Sequence, residues 1–186
     1  MRKFLVRFAS LYLTAVYWST AASASPPKHP HTRVANKAIV VKAGTPKALQ
    51  AELHTLRGHV VLINFWATWC GPCVAEFPEL VALAKKYAPR GLRLITVSVD
   101  QPSDKKQVIA FLEKHNAPMP AYIASTNDAL QFLKPYDPKM DGAIPRTYVF
   151  DKTGRLRARI VGQIDPAKLE SEIRDLLAAK SRLSKK

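Results

Sequence analysis

The sequence predicts an α/β domain with a mixed central β-sheet flanked by helices. Three observations lead there. Short runs of β-forming residues alternate with stretches whose apolar residues recur at helical spacing, the pattern of strands joined by helices. One run, VVLINFW at Val60 to Trp66, is apolar throughout and long enough for a strand buried on both faces. The last two runs, RTYVFD and RLRARIVG, flank Lys152-Thr153-Gly154 and read as an antiparallel hairpin, which makes the sheet mixed. At 186 residues, with 47% hydrophobic and 23% charged residues, the chain is a globular protein with enough length for one full core.

Taken in order, AIVV (Ala38 to Val41) is a short apolar strand. Thr45 then caps a helix opened by Pro46, with Leu49, Leu53 and Leu56 at helical spacing. The Val60 to Trp66 strand leads into a helix from about Cys73 to Tyr87, where Pro78 should introduce a kink. Leu92 to Asp100 is the next strand. A helix over Asp104 to His115 follows, with Val108, Phe111 and Leu112 inward. Ala121 to Ala124 is a strand, and a helix is expected near Asp128 to Leu133. After the hairpin, DPAKLESEIRDLLAAK reads as a final amphipathic helix. Within the hairpin Arg155, Arg157 and Arg159 alternate with Leu156, Ala158 and Ile160, which puts the arginines on one face of a strand, as guards of a sheet edge or as a dock for an acidic partner or lipid surface.

The chain opens with a different signature. Residues 1–24 read as a signal peptide: a basic start, an apolar run of 11 residues from Phe8 to Trp18, and the small-residue pattern Ala22-Ser23-Ala24, with cleavage expected after Ala24. A membrane span needs about 18–20 apolar residues, so the alternative, an uncleaved N-terminal anchor, is less favoured. Residues 25–37, rich in proline and polar groups, read as an exposed linker, and residues 38–186 as the folded domain. The implied location is the periplasm or another exported, cell-envelope site. Net charge is +15, leaving +12 after loss of Arg2, Lys3 and Arg7. Such basicity suits an anionic membrane surface or acidic partners, or no more than a soluble surface. No aromatic-basic motif points to nucleic acid.

Both cysteines, Cys70 and Cys73, lie in NFWATWCGPCVAEFP. As a structural staple the pair would enclose only two residues and restrict the unfolded chain very little. As a zinc site it supplies two of about four ligands; His54 and His59 are placed apart by the predicted elements, and His29 and His31 fall in the linker. A catalytic pair explains more residues. A strand and tight turn put Cys70 at a helix N-terminus, where unpaired N–H groups and the helix dipole stabilise a thiolate. Gly71 permits the turn and Pro72 suits the first helical turn. Cys73 follows one turn later, and Trp66 reads as core and Trp69 as surface contact.

FWATWCGPC resembles the active site of the thioredoxin superfamily, and NFWATWCGPCVAEFPEL is most similar to its TlpA-like branch, which includes ResA- and CcmG-type exported reductases. The resemblance runs over about residues 38–180, the size of one domain. It implies a thioredoxin-like fold with an extra strand-helix unit of about 30 residues between the active-site helix and a cis-proline loop. Pro145, in IPRTYVFDKTGRL, is the implied cis proline, following Ile144, and VSVD (Val97 to Asp100) matches the central strand that ends at the active-site edge. Two features depart from the branch: a strand and helix, instead of a hairpin, precede Val60, and LKPYDPKMDGA (Leu133 to Ala143) is a longer, more polar approach to the cis proline.

The implied activity is thiol-disulfide oxidoreduction, more as a reductase of protein disulfides, in cytochrome c maturation or a similar process, than as an oxidase. Cys70 attacks, Cys73 resolves, and Glu76, three residues on, carries the proton of Cys73, because Asn64 stands where plain thioredoxins carry a buried acid. Trp69, Gly71, Pro72, Ile144 and Pro145 are the implied substrate contacts. No cofactor or metal is expected. The partners implied are protein disulfide substrates and a membrane thiol donor of DsbD or CcdA type, with the protein itself a monomer. A CxxC metal-binding chaperone and a thiol peroxidase are the competing readings. The peroxidase would need a thiol activated by Thr and Arg at a spacing this sequence lacks.

Overall fold

The computed structural model describes residues 39–125, 134, 137–138 and 141–179. The leader, the linker and the helix expected near Asp128 to Leu133 lie outside the described residues. Six strands form one sheet: β1 (Val41–Gly44), β2 (Val60–Trp66), β3 (Leu92–Ser98), β4 (Ala121–Ala124), β5 (Arg146–Phe150) and β6 (Leu156–Val161). Their spatial order is β1-β4-β3-β2-β5-β6. The β1/β4, β4/β3 and β3/β2 pairs are parallel, whereas β2/β5 and β5/β6 are antiparallel, giving the mixed sheet that the hairpin implied. The described helices are α1 (Pro46–Thr55), α2 (Gly71–Tyr87), α3 (Lys105–Lys114) and α4 (Pro166–Ala178).

Every residue of β2 is buried, because strands pair on both its edges and helices cover both its faces. On one face Ile63 and Phe65 join Leu49 of α1, Val97, Tyr122 and Tyr148. On the other, Leu62 packs with Leu80 and Leu83 of α2 and Leu169 and Ile173 of α4. Trp66 packs at the end of that second face with Phe77 of α2 and Val108 and Leu112 of α3. Phe77 is the hinge of an aromatic cluster, with ring centroids 4.9 Å from Trp66 and 5.0 Å from Phe111. The added strand is β4, inserted between β1 and β3.

Several boundaries move from their expected places. β1 begins at Val41, where the expected strand ended, because its pairing with β4 runs from Val41 opposite Ala121 to Gly44 opposite Ala124. Edge pairing, not local hydrophobicity, selects those residues, and the apolar Val40 is left exposed. β3 stops at Ser98 because Asp100 leaves the ladder to hydrogen-bond a neighbouring loop. α2 begins at Gly71, with Pro72 in its first turn, and runs past Pro78 to Tyr87. The three hairpin arginines do not share one face. A bulge between Val149 and Phe150 sets Val149 opposite Ala158 but Phe150 opposite Leu156, so Arg157 is an extra residue and the pairing with β5 shifts there, although exposure still alternates along the strand. Leu156 packs against one core cluster and Ala158 and Ile160 against the other. Arg157 and Arg159 on β6, and Arg155 just before it, are all exposed, and β6 is an edge of the sheet among the described strands.

Truncating Phe77 to alanine would empty the junction of α2, α3 and β2. Unfolding of the oxidised protein in denaturant should show a loss of about 3–5 kcal/mol for Phe77→Ala. A loss near that of a surface substitution would mean the aromatic cluster does not hold these elements together.

Candidate active site

The site forms where β2 leaves the sheet. The Trp66 carbonyl accepts from the Val99 N–H at 2.9 Å, so β2 and β3 stay joined at the point where β2 ends. Beyond it the Cys70 N–H donates to the Ala67 carbonyl at 3.2 Å, a turn that reverses the chain into α2. Asp100 clamps the turn. Its buried carboxylate accepts from the Thr68 N–H at 3.0 Å, from the Thr68 hydroxyl, and from the Ser98 hydroxyl at 2.6 Å. Trp69 is thrown outward, 68% exposed, while Trp66 is buried in the core.

Cys70 is the N-cap of α2, with extended backbone (φ −87°, ψ 101°), and its sulfur accepts from the Cys73 N–H at 3.3 Å. A sulfur there meets the unpaired N–H groups and positive end of a 17-residue helix, which favours the thiolate once the disulfide opens. Cys70 and Cys73 are joined in a disulfide, with Cα atoms 5.2 Å apart. Cys70 is 6% exposed and Cys73 1%, so what access there is falls on Cys70. Both are less open than a freely exposed thiol.

The far side of the site comes from the segment before β5. The Ile144–Pro145 peptide is cis, and the Ile144 carbonyl oxygen lies 3.9 Å from Cys70 Sγ. The Pro145 carbonyl accepts from the Gly162 N–H at 3.0 Å, tying the loop to the end of β6; Gly162 has φ +81°, a conformation that favours glycine. Gln163 then reaches across, its side-chain amide donating to the Pro72 carbonyl at 3.4 Å. Trp69, Gly71 and Pro72 are exposed beside the disulfide, Ile144 is partly buried and Pro145 is buried.

Glu76 is buried, 5% exposed, below the cysteines on α2. Asn64 Nδ2 donates to its Oε1 at 3.2 Å and the Ile164 N–H to its Oε2 at 2.8 Å. Burial is the largest influence on this carboxyl and raises it above the ordinary carboxylate value, against the lowering effect of the two hydrogen bonds. Among the described residues no group of three or more His, Cys, Asp or Glu side chains converges as a metal site.

Sequence reasoning missed the groups that fix this geometry from a distance. Arg146, directly after the cis proline, is buried and pairs with Asp137 at 2.9 Å and Asp141 at 2.7 Å. These acids lie in the polar approach to the cis proline, so Arg146 ties that segment to β5. The only sequence signal was a charge at the start of a buried strand. Asp100 was noted only as a strand end, Gln163 and Thr147 not at all. A second cis peptide, Met119–Pro120, was also unforeseen.

The raised carboxyl of Glu76 has a signed consequence. A group raised in the folded state contributes stability that is present below its unfolded pKa and is lost as pH rises through its folded one. Stability of the oxidised protein measured from about pH 4 to about pH 9 should therefore fall, relative to Glu76→Gln, as pH climbs through the Glu76 titration. A difference between the two proteins that stays constant with pH would contradict the burial effect.

Residues 34–159 match the model of the AhpC/TSA family. The chain is 30% identical over 130 residues to a protein named thiol-disulfide oxidoreductase ResA from Geobacillus kaustophilus, covering 70% of each chain. A protein of the same name from Geobacillus thermodenitrificans is 30% identical over 146 residues, covering 75% of this chain and 79% of the relative. Among solved structures, a thiol:disulfide interchange protein of the thioredoxin family from Chlorobium tepidum matches with a TM-score of 0.58 and 27% identity, over 67% of this chain and 84% of that one. With a disulfide-linked CxxC pair at the head of α2 in a thioredoxin-like sheet, the chain belongs to the AhpC/TSA family as a thiol-disulfide oxidoreductase of ResA type.

Proposed function

We propose that the protein reduces disulfides of protein substrates in the cell envelope, in cytochrome c maturation or a similar process. The observation that carries this is the placement of Cys70 Sγ, capping α2 with the Cys73 N–H on it and standing 3.9 Å from the Ile144 carbonyl. The Cys70 thiolate attacks one sulfur of a substrate disulfide and the other substrate sulfur leaves as a thiolate. Cys73, buried behind it, then attacks Cys70 in the mixed disulfide. The Cys70–Cys73 bond forms, the bond to substrate breaks, and the second substrate sulfur leaves reduced.

Trp69, Gly71 and Pro72 form one wall for the substrate, and Ile144 with Pro145 the other. The backbone N–H and C=O of Ile144 suit an extended substrate segment, which would be bound with little demand on its side chains. Glu76 receives the proton that Cys73 must lose; burial makes its charged form the less stable and the proton correspondingly easy to accept. The protein leaves each cycle oxidised, so a membrane thiol donor of DsbD or CcdA type regenerates it.

Export fits the signal-like leader, with cleavage near Ala24 in preference to an N-terminal membrane anchor. Among the described residues no helix is long and apolar enough to cross a membrane. The exposed basic residues suit contact with an anionic membrane surface.

Two experiments test this reading. Cys73→Ala, expressed in the exporting cell, should accumulate mixed disulfides through Cys70 that collapse on reduction; peroxide turnover by the wild type without such adducts would favour a peroxidase, and stoichiometric copper or zinc on the reduced protein alone a metal chaperone. With a disulfide peptide as substrate, Glu76→Gln should slow resolution of the mixed disulfide by about 100-fold or more, the range for general acid-base groups, and flatten its pH dependence. Unchanged rate and pH profile would remove Glu76 from the mechanism.

A further inference from the structure

Ile144 is carried by a short loop, Asp141 to Arg146, whose two ends are held in different ways. The sheet fixes the C-terminal end. Arg146 pairs with Phe65 of β2 and Val161 of β6, and the Pro145 carbonyl accepts from the Gly162 N–H at 3.0 Å. The Arg146 guanidinium is buried, and its Nη1 donates to Asp137 at 2.9 Å. The N-terminal end has no strand to hold it. There Asp141, its side chain 67% exposed, uses one carboxylate oxygen twice: Oδ1 accepts from Arg146 Nη2 at 2.7 Å and from the Ala143 N–H at 3.0 Å. The second contact is a turn in which an aspartate side chain takes the backbone N–H two residues on. Gly142, between them, has φ +87°, which favours glycine. Together the two bonds close the loop on itself.

An ion pair open to water is worth little when both side chains must be ordered to make it. Here one already is. Arg146 is held by Asp137 and by its strand, so Asp141 meets a guanidinium that is fixed in place. The Ala143 N–H adds a second, charge-assisted bond at the same oxygen. It is the largest influence on the Asp141 carboxyl, which it holds below the ordinary carboxylate range.

What the closed loop fixes is the approach to Ile144. An extended substrate segment pairs with both the N–H and the C=O of one residue, and these belong to different peptide units. The C=O side continues into Pro145 and β5, which the sheet holds. The N–H side belongs to the unit joining Ala143 to Ile144, and Ala143 is the residue whose own N–H Asp141 holds. The Ile144 side chain packs against two core clusters, which sets where the residue lies but not where its N–H points.

We propose that Asp141 is a positioning residue for protein substrates: by tying Ala143 to Arg146 it aims the Ile144 N–H at the backbone of a docked segment. This rests on the reading of Ile144 as the residue that pairs with substrate. Asp141 acts on docking and leaves the exchange of bonds between sulfurs to the cysteine pair. A small disulfide, with no extended backbone to pair, gains nothing from it.

The test mixes reduced full-length protein with rising concentrations of a disulfide peptide and follows its oxidation in single turnovers, with bis(2-hydroxyethyl) disulfide as the small comparison substrate. Asp141→Ala should raise the half-saturating peptide concentration by about 5- to 10-fold, the size of one hydrogen bond, with the limiting rate little changed. The preference for peptide over the small disulfide should drop by the same factor. Asp141→Asn, which keeps an acceptor for the Ala143 N–H but not the charge, should fall between Asp141→Ala and the wild type. Hydrogen exchange of the Ala143 amide, followed by NMR, should quicken in Asp141→Ala. An Ala143 amide that exchanges as slowly as before, or equal losses on peptide and small disulfide, would overturn the inference. So would quicker exchange with an unchanged half-saturating concentration. Replacing Ile144 with its α-hydroxy acid, which puts an ester oxygen in place of the N–H, then separates the two readings: weaker peptide binding in that protein sinks only the role of Asp141, and unchanged binding sinks the pairing of substrate with the Ile144 N–H itself.

Discussion

The site depends on how one strand ends. β2 is paired along both edges and buried along its whole length, so its last residue, Trp66, has a fixed place and direction. The Val99 N–H on the Trp66 carbonyl and the Asp100 carboxylate on Thr68 then leave the chain very little freedom before α2 begins. Cys70 becomes the N-cap as a result. The reactivity expected of its sulfur follows from that position, because N–H groups left open by the helix have nothing else to bind. The same sheet carries β5 as the other neighbour of β2, and β5 is preceded directly by Ile144 and Pro145. Two segments about 70 residues apart in sequence thus meet at one sulfur because they flank the same pair of strands.

Of the buried charged side chains, Asp100, Arg146 and Glu76 surround this framework, and each is handled differently. Asp100 accepts from two hydroxyls and a backbone N–H, enough to hold a carboxylate in place as a clamp. Arg146 faces two acids, Asp137 and Asp141, and so ties these two residues before the cis proline to β5. Glu76 receives only two hydrogen bonds, one from a neutral amide and one from the backbone. Its charge is the least compensated of the three by direct partners. A carboxyl that is buried but not locked into one charge state can exchange a proton, and it lies on the same helix as Cys73, one turn away.

The edge of the sheet shows how a local pattern can mislead. The alternation of arginine and apolar residues in RLRARIVG is regular in sequence, and the side chains do alternate between exposed and partly buried. A single bulge at Arg157 nevertheless sends Leu156 to one core and Ala158 to the other. Exposure is retained because β6 has no outer neighbour among the described strands of the sheet. The shared arginine face is lost because facing depends on pairing with β5, which the strand's own residues do not encode.

By itself the sequence determined the order of the described strands and helices, the buried character of β2, the hairpin, the cap of α1 at Thr45 and the redox CxxC pattern of the two cysteines. Each of these rests on residues close together in the chain: a hydrophobic period, a turn dipeptide, a CxxC spacing. Through resemblance it also placed Pro145 beside the cysteines and singled out Asn64 and Glu76. Only the tertiary structure decided that Thr96 and Thr147 flank Asn64, that Asp100 clamps Thr68, that Arg146 gathers Asp137 and Asp141, and that Gln163 reaches Pro72. Those contacts join residues from separate elements, and which residues meet is set by strand register, where a shift of one position turns every side chain to the opposite face.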